Sequence, residues 1–412
     1  MVSLCFYFQV HQPYRLRDYS IFDIGDNHDY FDTYKNCAIL KKVGDKGYIP
    51  TNKVMLKLLK EFPEFRISYS FSGVVLDQFA EFYPDVLSSF QELMDTGRVE
   101  LLSETYYHSL AFLYSKEEFS EQVRLHDQKI RKLFNYKPKV FRNTELIYNN
   151  ELAGFVEGMG YKGVLAEGAD HILGWKSPNF VYHPPASQKI RLLLKNYKLS
   201  DDIAFRFSNR GWKDWPLTAP KFGSWVNAHN GNGSCINLFM DYETFGEHQW
   251  KETGIFNFLR HMPQEILKHP DNDFATPSEI IKRYNSVGEL DIHNLISWAD
   301  VERDLSAWLG NRMQQASLKR IYEIEKNIKM CNNPHILKDW RKLQTSDHFY
   351  YMCTKWFNDG DVHKYFNPYD SPYDAFIAFT NAANDIMGRV KNSEKKQKCE
   401  NQIPSNFCEA KV

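Results

Sequence analysis

Short apolar segments alternate with segments of helical periodicity over the first two-thirds of the chain. Largely apolar runs, such as LCFYFQV at residues 4–10 and CINLFMD at residues 235–241, are typical of buried strands. Between such runs, segments such as PDVLSSFQELMDTG at residues 84–97 carry apolar residues at helical spacing. Because strands that alternate with helices form parallel sheets, this pattern predicts a (β/α) barrel, open or closed.

The pattern changes after about residue 300, where long helical segments replace the alternation. DLSAWLGNRMQQASLKRIYEIEKNIKM and two later segments predict a helical layer packed on the barrel. We therefore expect a barrel over residues 1–295 and a helical C-terminal region over residues 296–391. The remaining residues, 392–412, are polar and predict a flexible tail.

Polar residues follow the ends of several predicted strands. His11 follows the first strand, Glu104 and His108 follow the third, Glu145 follows KVFRN, and Asp241 ends CINLFMD. A single acidic residue after a strand is commonly a turn residue or a helix N-cap. In a parallel barrel, however, the carboxyl ends of the strands meet at the rim that holds the active site. The recurrence at several strand ends therefore predicts a catalytic cleft.

Composition and charge narrow the class of partner. Lys and Arg total 51 against 52 for Asp and Glu, so the formal net charge is -1 and a nucleic-acid partner is not expected. The aromatic share of 15 % fits a large core and also a sugar-binding cleft. No apolar run reaches the roughly 18 residues of a membrane span, so a membrane partner is not expected.

The cysteines and the N-terminus bear on location. Seven cysteines are scattered without a CxxC pair, which favours free thiols in a reducing cytoplasm. The N-terminal segment MVSLCFYFQVHQP lacks a basic region and a small-residue cleavage site, so it predicts a first buried strand and not a signal peptide. A cytoplasmic protein is expected, and the sequence carries no indication of its oligomeric state.

Five sequence blocks occur in an order that resembles one enzyme family. They are HQP at 11–13, VELLSETYYHSL at 99–110, FRNTELIY at 141–148, MDYETFGEH at 240–248 and SWADVERDLSAWLGN at 297–311. The blocks are similar to the five conserved regions of glycoside hydrolase family 57, the α-amylase-type branch. This resemblance extends to about residue 390 and implies an α/β fold, a (β/α)7-type incomplete barrel followed by a helical C-terminal layer.

The resemblance also implies a retaining mechanism, with Glu145 as the nucleophile and Asp241 as the acid/base. Such a pair is expected to lie about 5–5.5 Å apart, and the acid needs a raised pKa. Glu243 and Glu247 are candidate causes, because nearby negative charge opposes ionisation of Asp241. The third block departs from the commoner family pattern, since residues 142–144 are Arg-Asn-Thr where Trp and Pro or Ala usually precede the Glu.

The resemblance further implies substrate-binding residues. His11, His108 and His248 are expected to cluster near the cleaved bond and to donate hydrogen bonds to sugar hydroxyls. Glu104 shares their strand-end position. Trp308, with Asp304 one turn before it, is similar to a sugar-stacking residue. Asp347 and His348 are candidates on a different ground, because they interrupt an otherwise apolar helical face. For Asp304 a helix cap and for Trp308 a core indole are equally open interpretations.

The function that the resemblance implies is cleavage of α-1,4-glucan, such as starch, glycogen or maltooligosaccharide, without a cofactor or metal. Transfer to another sugar, as in a 4-α-glucanotransferase or branching enzyme, is an alternative, because only the acceptor differs. A metal-dependent carbohydrate deacetylase would need ligands such as a helical HxxxH pair, which the sequence lacks. A non-catalytic glucan-binding protein has no use for paired carboxylates.

Overall fold

The computed structural model describes residues 2–355 and 367–400, and it describes side chains through residue 393. A parallel sheet of eight strands forms its centre. The strands are β1 (Val2–Val10), β2 (Ile67–Phe71), β3 (Val99–Leu101), β4 (Val140–Arg142), β5 (Gly163–Glu167), β6 (Arg191–Lys195), β7 (Cys235–Asp241) and β8 (Asn272–Phe274). The sequence did not predict β8, because its three residues include two polar ones and form no apolar run.

The strands follow the order β3-β2-β1-β7-β6-β5-β4, and β8 pairs with β1 outside this path. The two ends of the path, β3 and β4, are joined by a single parallel bridge between Ser103 and Phe141. Strands β6 and β7 share only the pair Lys195 and Asn237. Seven strands thus form a barrel with two weakly paired seams, which confirms the predicted incomplete (β/α)7-type barrel.

Helices of the expected amphipathic kind follow the strands. Up to residue 283 they are α1 (Thr33–Val43), α2 (Ile49–Glu61), α3 (Gly73–Phe82), α4 (Pro84–Met94), α5 (Lys116–Phe134), α6 (Asn150–Gly158), α7 (Asp170–Leu173), α8 (Tyr197–Ala204), α9 (Ala219–Asn227), α10 (Ile255–Leu267) and α11 (Pro277–Arg283). The start of α11 shows how sequence directs an element. Thr276 and Glu279 form a reciprocal capping box there, and Pro277 occupies the first turn.

The core of the barrel is rich in aromatic side chains. All nine residues of β1 are buried, and the strand is paired along both of its edges. Tyr7 and Phe239 meet edge to face inside the barrel, with ring centroids 5.5 Å apart. A strand buried on both faces favours apolar residues on both, which is why β1 has no alternating pattern. Its two polar side chains, Ser3 and Gln9, are buried with hydrogen-bond partners in Asp273 and Glu104.

The chain divides into two compact units. The barrel unit comprises Met1–Pro13, Tyr34–His108 and Lys116–Leu305. The second unit comprises Tyr14–Thr33, Ser109–Ser115 and the described residues from Ser306 onward. Its helices are α12 (Ser306–Leu309), α13 (Arg312–Glu323), α14 (Glu325–Met330), α15 (Pro334–Lys342), α16 (Ser346–Tyr350) and α17 (Pro372–Glu400).

The second unit contains the predicted helical C-terminal region together with two segments that follow β1 and β3 in the chain. A single boundary at residue 295 cannot assign those two segments to the second unit, because they precede the boundary. Their assignment depends on contacts with residues far away in the sequence. Helix α17 also continues through residues 392–400, where a flexible tail was expected. That stretch is rich in Lys, Glu and Gln, which are good helix formers. The rest of the expected tail, residues 401–412, lies outside the described residues.

None of the helices within residues 2–355 and 367–400 is long and apolar enough to cross a membrane. The cysteines whose side chains are described all carry free thiols, and they are Cys5, Cys37, Cys235, Cys331 and Cys353.

A buried carboxylate explains why residues 14–33 belong to the second unit. Asp385 on α17 is 1 % exposed and accepts three hydrogen bonds from this segment. The Gly25 backbone N–H donates to Oδ1 at 2.6 Å, while His28 Nδ1 lies 2.8 Å from Oδ2 and the Tyr30 hydroxyl donates to the same oxygen. Two other side chains of α17 support this contact, since Asn381 Nδ2 donates to the Tyr19 carbonyl at 3.1 Å and Arg389 Nη1 donates to the Tyr30 hydroxyl at 3.0 Å.

Replacing Asp385 by alanine should lower the free energy of unfolding by about 2–4 kcal/mol, because three donors would lose their acceptor. Urea denaturation followed by circular dichroism measures this change. The neighbouring exposed Asn384 supplies a matched control, and its change to alanine should stay within about 0.5 kcal/mol of wild type. Equal effects of the two substitutions would contradict the anchoring role of Asp385.

Candidate active site

The carboxyl ends of β1, β3 and β4 bring four predicted residues into contact. The rings of His11 and His108 stack, with centroids 4.0 Å apart and planes 20° apart. His108 Nδ1 lies 2.9 Å from Glu104 Oε2, and His108 Nε2 lies 3.2 Å from Glu145 Oε1. The predicted proximity of His11 and His108 is confirmed, although 96 residues lie between them in the chain.

Glu145 occupies an unusual backbone conformation. It lies in the short turn Thr144–Leu146 directly after β4, with φ 57° and ψ 27°, and Leu146 follows with φ 51°. A left-handed conformation costs a non-glycine residue about 1–3 kcal/mol and is often found at functional sites. The Asn143 side chain holds this turn by donating from Nδ2 to the Ile147 carbonyl at 3.1 Å. The Glu145 side chain is 22 % exposed.

Two donors hold the Glu145 carboxyl group in its ionised form. One is His108, and the other is Trp298, whose Nε1 donates to Glu145 Oε2 at 2.7 Å. Burial alone would raise the pKa of Glu145. The hydrogen bond and charge of His108 outweigh it, with help from the Arg142 charge and Trp298, so the pKa is lowered below its ordinary value.

Glu104 secures the charge on His108. Burial opposes the charged form of both groups, but their mutual hydrogen bond and charges outweigh it. The pKa of Glu104 falls to about 2 and that of His108 rises to about 9. Gln9 Nε2 donates to the other Glu104 oxygen at 3.0 Å. His108 is therefore a buried imidazolium, held between two carboxylates, at neutral pH.

Asp241, at the end of β7, has the opposite shift. Burial raises its pKa first and the negative charge of Glu145 second, while Arg142, Lys195 and His108 oppose them, and the result is a pKa of about 6. The raised pKa was predicted, but the neighbouring charge that causes it is that of Glu145 and not of Glu243 or Glu247. Glu243 is largely protonated at neutral pH, and the charge of Glu247 is paired with that of Lys42.

Glu243 and Glu247 differ from the prediction for distinct reasons. Burial, and after it the charge of Asp241, raises the pKa of Glu243 to about 8, so Glu243 itself carries little charge at neutral pH. It accepts hydrogen bonds from the Tyr48 hydroxyl and from Gln12 Nε2. Glu247 is buried, and its Oε1 forms an ion pair with Lys42 Nζ at 2.6 Å.

Arg142 and Trp298 are functional candidates that the sequence analysis did not single out. Arg142 is fully buried, and none of its guanidinium nitrogens has a hydrogen-bond partner among the described atoms. The guanidinium carbon lies 4.9 Å from the Trp298 ring centroid, and Lys195 Nζ lies 5.3 Å from the same centroid. Trp298 lies inside the block at 297–311, so its place in that block was the available signal.

A charge network at the ends of β5 and β6 was also missed. Lys195 Nζ lies 3.8 Å from Glu167 Oε2 and 3.2 Å from Asp201 Oδ1. Arg303 reaches the same two carboxylates at 3.4 and 3.5 Å. Glu167 and Lys195 end strands just as Asp241 does, so the same strand-end rule could have found them.

The remaining predicted residues are placed as follows. His248 is partly buried, and burial lowers its pKa to about 4 against the opposing charge of Glu247. Its clustering with the other two histidines stays a prediction. Asp304 is exposed, and its backbone carbonyl accepts a hydrogen bond from Ser297 Oγ at 2.6 Å.

Three predicted residues belong to the second unit. Trp308 is 1 % exposed and its ring lies 6.1 Å from that of Tyr350, which favours the core-indole interpretation over stacking on a sugar. Asp347 lies in the first turn of α16 and is partly buried, and the adjacent His348 is buried. A contribution of these residues to the barrel cleft stays a prediction.

Within residues 2–355 and 367–400 there is no group of three or more His, Cys, Asp or Glu side chains arranged to hold a metal ion.

Comparison with known proteins identifies the family. A Methanocaldococcus jannaschii protein named "Putative alpha-amylase" is 45 % identical over 404 residues, which are 94 % of this chain and 85 % of that protein. The crystal structure of a branching enzyme from Thermococcus kodakaraensis matches with a TM-score of 0.67 and 14 % identity, covering 97 % of this chain and 94 % of that one. A 4-alpha-glucanotransferase from Thermococcus litoralis matches with a TM-score of 0.64 and 19 % identity, covering 84 % and 56 %.

The two structural matches, at these identities, show the fold alone. The family assignment rests on sequence. Residues 5–293 match the model of "Glycosyl hydrolase family 57", and this range contains the strand ends that carry Glu104, Glu145 and Asp241. Together with the 45 % identical relative, this match shows that the chain is a glycoside hydrolase and belongs to glycosyl hydrolase family 57.

Proposed function

We propose that this protein is a retaining glycoside hydrolase that cleaves α-1,4 linkages of a glucan, with Glu145 as nucleophile and Asp241 as acid/base. The observation that carries the proposal is the opposite shift of two carboxyl pKa values within one cleft. The pKa of Glu145 is lowered, and that of Asp241 is raised to about 6. Such a separation distinguishes an ionised nucleophile from a proton donor. The α-amylase name of the 45 % identical relative supports the choice of substrate.

In the first step, the ionised Glu145 carboxylate attacks the anomeric carbon of the bound sugar. The bond from that carbon to the glycosidic oxygen breaks, and Asp241 gives its proton to this oxygen as the leaving sugar departs. In the second step, Asp241 takes a proton from water. The resulting hydroxyl attacks the anomeric carbon and releases Glu145 with its charge restored, so both groups return to their initial state.

The electrostatic coupling of Glu145 and Asp241 favours both formation and hydrolysis of the glycosyl ester. Glu145 loses its negative charge when it forms the ester with the sugar. Because that charge raises the pKa of Asp241, the pKa of Asp241 falls in the intermediate. Asp241 is thus a better acid donor before the ester forms and a better base afterwards.

The histidines take different parts in this proposal. Both ring nitrogens of His108 face carboxylates, so we assign it to orienting Glu145 and keeping it ionised, where sugar binding was expected. His11, stacked on His108, and His248 remain the proposed donors to sugar hydroxyls, with Glu104 acting through His108. Hydrolysis and sugar transfer share all of these steps except the identity of the acceptor.

Incubation with maltoheptaose, followed by chromatography and a reducing-end assay, tests the function. Hydrolysis predicts shorter maltooligosaccharides with new reducing ends, whereas transfer redistributes chain lengths without them. Glu145→Gln should lower kcat at least about 10³-fold, because the amide cannot attack the anomeric carbon. Glu151→Gln, a change at an exposed carboxyl group on α6, should retain activity.

Azide supplies a second arm of this experiment. In Glu145→Ala the small anion can occupy the space of the lost carboxylate and attack the anomeric carbon, so a glycosyl azide should form. Near-normal turnover by Glu145→Gln, or a normal rate in Glu145→Ala without azide, would show that another group is the nucleophile.

The pH dependence of kcat/KM should have a basic limb near pH 6. Asp241 must be protonated to act as acid, so activity is lost as pH rises through its pKa of about 6. Removing the charge of Glu145 should lower the pKa of Asp241, because that charge is one cause of the raised value. Carbon-13 NMR of labelled aspartate in Glu145→Gln measures this shift, and an unchanged Asp241 pKa would contradict the coupling.

Trp298→Phe should move the acidic limb of the same profile to higher pH. Glu145 must be ionised, and loss of the indole donor removes one of the interactions that lower its pKa. The expected upward shift is about one pH unit or more, as for a lost hydrogen bond to a charged group. The basic limb serves as an internal control, since Trp298 has no hydrogen bond to Asp241 among the contacts described here. A profile with both limbs unchanged would remove Trp298 from this role.

A further inference from the structure

A shallow cavity of about 530 Å³, open to the surface, lies in the barrel unit along α8, α9 and the segment between them. Its lining shares no residue with the cleft described above. Asp201 on α8 belongs to the Lys195 and Arg303 network of the cleft, whereas the adjacent Asp202 lines the cavity. The same short helix therefore contributes to both places.

Two indoles form one wall of this cavity. Trp212 and Trp225 meet edge to face, with ring centroids 6.0 Å apart and planes 74° apart. Both side chains are partly buried and partly open to the cavity. Since each indole is braced by the other, the pair offers a rigid apolar surface that loses little conformational entropy when a ligand binds.

Fixed polar groups lie beside the indoles. Arg206 Nε donates to Asp202 Oδ1 at 2.6 Å, and Arg206 Nη2 donates to the Lys198 carbonyl at 2.8 Å. The guanidinium carbon is also 5.9 Å from the Trp212 ring centroid. A side chain with several donors and a carboxylate acceptor are thus held in place next to an apolar wall.

The charges around the cavity are mixed and nearly balanced. Lys198, Arg206 and Lys213 are basic, and Asp202 and Asp214 are acidic. A polyanion would meet two carboxylates, and a polycation would meet three cations, so neither is favoured. The lining matches a neutral ligand that has both an apolar face and many hydroxyl groups.

We propose that this cavity is an auxiliary α-glucan-binding site, in which a pyranose ring packs on Trp212 and Trp225 while its hydroxyls bond to Asp202 and Arg206. Pyranose rings combine an apolar face with a rim of hydroxyls, which is the combination that the cavity presents. The choice of an α-glucan rests on the proposed function. Binding a long chain at two places raises its effective concentration at the cleft.

Affinity electrophoresis in native gels containing amylose tests this site. The Glu145→Gln protein is used throughout, so that the polymer is not degraded. Adding Trp225→Ala or Trp212→Ala should weaken retardation by amylose about tenfold, as expected for loss of an aromatic surface and of two-site binding. Trp175 is 92 % exposed and outside the cavity, so Trp175→Ala should leave retardation unchanged.

Melting temperatures of the variants show whether each is folded. Trp225→Phe is a second control, because it keeps an aromatic ring and should keep most of the retardation. In addition, hydrogen exchange with maltoheptaose should protect residues 219–227 of α9. The proposal would be overturned by retardation that is unchanged in both tryptophan variants or by a lack of protection of α9. Retardation by heparin in place of amylose would also overturn it.

The outcome is separable from that of the catalytic proposal. If wild type fails to cleave maltoheptaose yet shows retardation that depends on Trp225, the cavity binds glucan and the catalytic proposal fails. If wild type cleaves maltoheptaose while retardation is unchanged by substitution of either tryptophan, only the auxiliary site is overturned.

Discussion

The imidazolium of His108, held between Glu104 and Glu145, crosses the seam at which the barrel closes. Strands β3 and β4 share only the bridge between Ser103 and Phe141, and the two carboxylates follow directly after these strands. Thr105 Oγ1 and Thr144 Oγ1 also meet across this seam at 2.9 Å. Interactions among the cleft residues therefore supplement a weak backbone connection, so the position of Glu145 and the closure of the barrel depend on the same few side chains.

The same arrangement separates the two carboxyl groups chemically. Burial raises the pKa of both Glu145 and Asp241, so burial alone cannot distinguish them. What distinguishes them is the set of donors. Glu145 has an imidazolium and an indole N–H at hydrogen-bond distance, and its resulting negative charge then opposes ionisation of Asp241. One ionised group thus keeps its neighbour protonated.

Two buried cations, Arg142 and Lys195, offset part of the negative charge of the cleft carboxylates. Arg142 lies buried against the Trp298 face without a hydrogen-bond partner among the described atoms, and Lys195 lies near the same ring. An indole face attracts cations and leaves its N–H edge to donate to Glu145. The Arg-Asn-Thr sequence before Glu145, which departs from the commoner family pattern, therefore places a positive charge close to the cleft.

The sequence pattern by itself determined the strand and helix alternation, a (β/α) barrel and the set of residues at the strand ends, whereas the incomplete form of the barrel was implied by the family resemblance. This was possible because buried strands require apolar runs, as in β1, and because parallel strands all direct their carboxyl ends to one rim. It could not reveal β8, whose short polar sequence lacks a run, or the assignment of residues 14–33 to the second unit, which depends on Asp385 far along the chain. Only the tertiary structure decided that His108 contacts two carboxylates, that Trp298 donates to Glu145, and that Glu145 and not Glu243 raises the pKa of Asp241. These outcomes depend on distances of a few ångströms and on burial, and neither is encoded in local periodicity.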